Sequence, residues 1–130
     1  MKILQPKEWL RPSGYSNGIE AEGKVIFVAG QVGWNAKQQF ESDDFVDQVR
    51  QTLKNVLAVL KESRAGPENI TRLTWFIVDK REYKARSREV GEVYRELLGK
   101  HFPAMTLVEV SALLEDGAKV EIEATAVLSK

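Results

Sequence analysis

Between positions 45 and 60, apolar residues recur at intervals of three and four: Phe45, Val49, Leu53, Val56, Leu57 and Leu60. That spacing gathers them on one face of a helix. Ser42 or Asp43 can cap its start, and Gly66-Pro67 closes the region beyond it. A second stripe runs through Tyr83, Val90, Val93, Tyr94, Leu97 and Leu98. Asp79 and Glu82 are spaced as a capping box before it, and Gly99 can supply the terminating left-handed residue. The other apolar runs read as strands. Val25 to Val28 follows Ile19 to Glu22 across a Gly23 turn, which predicts a hairpin. Ile70 to Val78 is apolar on both parities, as expected of a central strand covered on both faces. Met105 to Val110 and Lys119 to Leu128 are predicted to pair as a last hairpin through Glu115-Asp116-Gly117.

The order is strand, strand, helix, strand, helix, strand, strand. Two helices cannot cover both faces of such a sheet, so the expected class is α+β: a two-layer sandwich, a mixed β-sheet with two helices on one face. On the last strand Val120, Ile122, Ala124, Ala126 and Leu128 alternate toward the helices, leaving Glu121, Glu123, Thr125 and Val127 on the open face. Met105, Leu107 and Glu109 are expected to join them there. Apolar groups beside carboxylates suit an oligomer interface better than a solvated surface.

Composition narrows the function classes. A chain of 130 residues, 43% hydrophobic, supports one core and hence one domain, 1–130. Nineteen basic and nineteen acidic residues cancel, so nothing draws the whole protein to nucleic-acid phosphates or an anionic membrane. The absence of cysteine excludes a thiol nucleophile, a disulfide framework and thiolate metal sites, and suits a cytoplasmic location. Pro6, Lys7 and Glu8 interrupt the start before an apolar run can develop, so neither a signal peptide nor a membrane span is expected there. With His101 the single histidine, no histidine metal cluster or usual serine triad can form; it reads as a helix-end residue set against the dipole. No metal or cofactor is expected. Arg81, Lys84, Arg86, Arg88 and Arg95, interrupted by Glu82, Glu89 and Glu92, read as a solvated helix face.

Four segments carry a further signal. PAMTLVEV at 103–110, VEIEATA at 120–126, GYSNGI at 14–19 and VIFVAGQVG at 25–33, with Asn55 in the first helix, together resemble the Rid/YjgF family of reactive-intermediate deaminases. Enzymatic members of that family hydrolyse enamines and imines to ketones and ammonia. The resemblance implies a chorismate-mutase-like fold, a homotrimer, and small-metabolite clefts between subunits. It also implies that Tyr15 lies at the cleft, that Gly30 is a point of close backbone approach, and that Glu121 positions the hydrolytic water. The departures are Met105 in place of an arginine that grips the substrate carboxylate, Ala29 for a common serine, Leu107 for a cysteine or small residue, and Gly91 where some members carry a cleft asparagine.

Imine hydrolysis needs water added to the C=N carbon and protons delivered to the departing nitrogen, which a carboxylate holding a water can do. Glu121 is the candidate, set against an interface glutamate that only keeps a sheet face hydrated. Methionine cannot imitate the bidentate fork of arginine, so either the ligand is neutral at that end or another cation enters, with Arg72, Arg86, Arg88, Lys100 and His101 as candidates. Met105 and Leu107 remain candidate cleft residues, Met105 against a role as core filler. Trp34 either walls the cleft or packs on its own subunit. Three functions stay open: a deaminase-like hydrolase, a non-catalytic trimeric binder of small metabolites, and an endoribonuclease. Neutral charge and the lack of an aromatic-basic RNA motif count against the last.

Overall fold

A computed structural model describes residues 1–129 of the chain. Strands β1 (Lys2–Leu4) and β2 (Gly18–Glu20) form a small antiparallel ribbon. The main sheet contains β3 (Lys24–Val32), β4 (Ile70–Ile77), β5 (Ala104–Glu109) and β6 (Val120–Leu128), in the order β3-β6-β4-β5. Helix α1 (Phe45–Lys61), the short α2 (Lys80–Ala85) and α3 (Ser87–Leu98) complete the fold, and α1 and α3 pack on the same face of the sheet. The two-layer α+β sandwich with a mixed sheet is therefore the one expected.

Both predicted hairpins are replaced by other pairings. β2 joins β1 instead of β3. β4 inserts between the last two strands: β5 runs parallel to it and β6 antiparallel. A parallel pair needs a crossover, which α2 and α3 supply. The turn signal at Glu115-Asp116-Gly117 is genuine as a turn, with Ala118 N–H donating to the Glu115 carbonyl, but it lies in a loop connecting strands that are not neighbours.

α1 buries Phe45, Val49, Leu53, Val56 and Leu60, as its periodicity requires. Its cap is Asp44, whose carboxylate accepts the Asp47 N–H at 3.0 Å, one position beyond the two residues considered. Ser42 instead receives the Asp44 N–H and donates to Asp47. The second stripe is split at Arg86 into α2 and α3. Asp79 caps α2 as expected, and Gly99 ends α3 with a φ of 68°. Arg86 stabilises the break by binding Asp44 and Glu89, tying the start of α3 to the start of α1. Those contacts hold both carboxyls below their usual range, the hydrogen bond from Arg86 being the first cause for each.

Val120, Ile122, Ala124 and Ala126 lie buried beneath the helices with Leu73, Trp75 and Ile77. Registry then settles the parity of β5. Met105 pairs with Leu73, and Leu107 with Trp75, so both face the helices and pack on the core. They are not on the open face with Glu121, because a strand placed in parallel beside β4 inherits the parity of β4 and not that of a hairpin with β6. The open face is mixed all the same. Its apolar members are Val25, Phe27, Phe76 and Val108, aligned with Val127, Thr125, Glu121 and Phe76 respectively.

Candidate functional site

The candidate residues separate into two groups on opposite faces of the sheet. On the open face, β3 carries one extra residue between Val28 and Gln31, a bulge that sets Ala29 and Gly30 against a single partner position on β6. Glu121 projects from β6 across this bulge. A Cβ placed on Gly30 would overlap the Glu121 Oε2, so the carboxylate occupies space that only glycine leaves vacant. Glu121 is partly exposed, and no side-chain hydrogen bond occupies its carboxylate among the described residues. A water held there would meet a free acceptor beside accessible backbone.

The second group lies on the helix side. A cavity of about 370 Å³ opens between α3, the start of β5 and the segment at Ser13 and Gly14; Met105, Phe102, Trp75, Gly91 and Arg95 are among its walls. Tyr94, also on the wall, stacks on Phe102 with ring centres 5.5 Å apart and donates its hydroxyl to the His101 carbonyl at 2.6 Å. Burial pushes the Tyr94 phenol up, so it remains a donor at neutral pH. The Trp75 indole N–H is buried without a hydrogen-bond partner among the described residues. Leu107 packs on the core and does not line this cavity.

Tyr15 joins neither group. Its neighbour Gly14 borders the Met105 cavity, while Ser16 bridges to Ala104 and donates its hydroxyl to the Phe102 carbonyl. Tyr15 itself is exposed and lines hollows shared with Ile3, Lys100 and His101. Trp34 packs against Phe40 of its own chain, with ring centres 5.7 Å apart. Asn55 pins the end of β3, donating to the Val32 and Trp34 carbonyls at 2.9 and 2.8 Å. His101 does not address a helix dipole: its Nε2 lies 2.6 Å from the Ile70 carbonyl at the start of β4.

None of the five cations named from sequence lines the Met105 cavity. Arg86 is engaged by Asp44 and Glu89, Lys100 and His101 border the Tyr15 hollow, and Arg72 lines a depression with Phe27 and Thr125. The cation that borders the cavity is Arg95, which is exposed on the helix face, as its patterning predicts. The signal was available: Ser87, Gly91 and Arg95 are four residues apart, and a glycine inside a helix demands a reason.

Comparison with known proteins shows the family. A family model described as Endoribonuclease L-PSP matches residues 9–128. The chain belongs to that family, the YjgF/Rid proteins. A RutC family protein of Pyrococcus horikoshii is 35% identical over 118 residues, covering 89% of each chain. The human 2-iminobutanoate/2-iminopropanoate deaminase is 28% identical, covering 87% of this chain and 79% of its own. YyfB of Yersinia pestis, a Rid protein, superposes with a TM-score of 0.86 at 29% identity over 98% of both chains. Escherichia coli TdcF, solved with bound serine, gives 0.72 at 27% identity over 99% of this chain and 100% of its own. This Rid chain has no helix long and apolar enough to cross a membrane among its described residues.

Proposed function

We propose that the protein is a cytoplasmic imine or enamine deaminase that works at clefts between the subunits of a homotrimer, with Glu121 as the water-positioning carboxylate. The observation that carries this reading is the placement of Glu121 over Gly30: a partly exposed carboxylate without a competing partner, beside backbone stripped of side chain. In the reaction, Glu121 takes a proton from water as its oxygen adds to the C=N carbon. Proton transfer to nitrogen then lets the C–N bond break, leaving a ketone and ammonia.

The division of the site supports assembly between copies. Glu121 and the Met105 cavity lie on opposite faces of one sheet, so one chain cannot bring both to the same ligand. A neighbouring copy docked through its open face against the β5 edge can. Phe27, 79% exposed on that face, gives the association an apolar anchor. The human relative is a deaminase of 2-iminobutanoate and 2-iminopropanoate, and TdcF holds serine. All three compounds are small and carry a carboxylate.

The test is ammonia release from freshly generated short-chain imines, measured for the wild type and Glu121→Gln. The variant should keep its assembly and lose turnover by at least about 100-fold. Equal rates would assign the proton transfer to another group. Ligand binding by the wild type with no turnover on any imine would favour the non-catalytic binder.

A further inference from the structure

Among the described residues, the cavity beside Met105 has apolar and aromatic walls, two serines and one charged residue, Arg95, and no carboxylate lines it. Ser87, Gly91 and Arg95 form a single stripe along α3. The Arg95 guanidinium lies back along that stripe: its Nη1 would be 3.6 Å, an ordinary contact distance, from a Cβ added at Gly91. Helical side chains lean toward the helix N-terminus, which carries the guanidinium back over Gly91 and toward Met105. Arg86 is consumed by two carboxylates and Arg50 by Glu96, whereas Arg95 has no ion pair among the described residues.

We infer that Arg95 is the anion-binding and specificity-determining residue of this cavity, holding the carboxylate of a small monocarboxylic ligand whose apolar part lies against Met105 and Phe102. A planar fork with no internal acid to neutralise it matches a carboxylate in two parallel hydrogen bonds. A cavity of about 370 Å³ suits a small ligand. Met105 then serves as the apolar wall for the ligand chain. The assignment of the ligand as an imino or oxo acid rests on the deaminase reading; the anion site itself rests on the cavity.

Titration calorimetry with 2-oxobutanoate and with uncharged butan-2-one tests this, since the two differ in the carboxylate and binding is read without turnover. The wild type should prefer the acid, Arg95→Gln should weaken acid binding by about 10- to 100-fold without affecting the ketone, and Arg88→Gln on the same helix should change neither. Arg95→Gln combined with Met105→Arg returns a guanidinium to the cavity from the sheet and should recover acid binding. Wild-type indifference to the carboxylate, or full acid binding by Arg95→Gln, overturns the inference. Ammonia release from neutral imines alongside either result would leave the deaminase reading intact. Arg95-dependent acid binding with no ammonia from any imine would instead retain the anion site and remove the deaminase.

Discussion

The Glu121 carboxylate lies over the Cα of Gly30, in the volume that a side chain at position 30 would fill. The two residues come from adjacent antiparallel strands, and the bulge at Ala29 and Gly30 is what turns bare backbone toward the carboxylate. Gly30→Ala should therefore act as a displaced-carboxylate variant. Its backbone carries no positive φ to forbid alanine, so the far-ultraviolet circular dichroism should match the wild type. Ammonia release should fall to the level of Glu121→Gln. A rate equal to the wild type would show that the carboxylate does not act from this position.

Assembly should depend on the open sheet face. Val25 and Phe27 are 50% and 79% exposed there, on the same face as Phe76 and Val108. Burying such residues at an interface contributes about 1.5 to 3 kcal/mol for each large side chain. Light scattering is expected to give three chains per particle for the wild type, and Phe27→Asp should shift the mass toward a single chain. A monomeric wild type at micromolar concentration would separate the two halves of the site permanently.

Gln48 holds the loop before β6 to α1. Its side chain donates to the Ser42 and Gly117 carbonyls and accepts the Lys119 N–H at 2.8 Å, all while 1% exposed. Gln48→Leu strands these backbone groups and should cost about 2 to 4 kcal/mol by urea unfolding. A cost under about 0.5 kcal/mol would mean that water replaces the amide there.

Acid should expose the contribution of Asp44. Arg86 first, and then the Asp47 N–H, hold its carboxyl below the usual value. A group with a lower pKa folded than unfolded stabilises the fold fully above its unfolded value, about pH 4. That contribution is lost as the pH falls through the folded value. Asp44→Ala should lower stability at pH 7 by about 1 kcal/mol, through the lost helix cap. The gap from the wild type should narrow below about pH 4. A gap independent of pH would assign the effect to capping geometry alone.

The helices, the strands and their layering were legible because each depends on a local period: Phe45 to Leu60 needs no partner to read as a helix. Strand pairing depends on distant residues and was misread. Met105, Leu107, Val108 and Val110 are apolar on both parities, so β5 has no face of its own until Leu73 and Trp75 impose one through registry. The family resemblance named Gly30 and Glu121 separately; that the carboxylate occupies the place of a missing side chain follows only from the bulge that sets β3 against β6. Gln48 and Arg95 were missed for one shared reason. A polar residue on a helix defaults to solvent, and only the third dimension shows that one is swallowed by a loop and that the other, still exposed, borders a cavity.

The bulge in β3 also bears on how a newly made chain avoids its neighbours. β3 and β5 are the two outer strands, and an unpaired strand flank is a template on which another chain can add. The extra residue at Ala29 and Gly30 breaks the regular spacing of hydrogen-bonding groups that such addition requires. On the far side, the Ser16 bridge to Ala104 obstructs the first position of β5. Straightening β3 by deleting one bulge residue would thus do more than misplace a carboxylate: it would make the chain a better seed for fibrils.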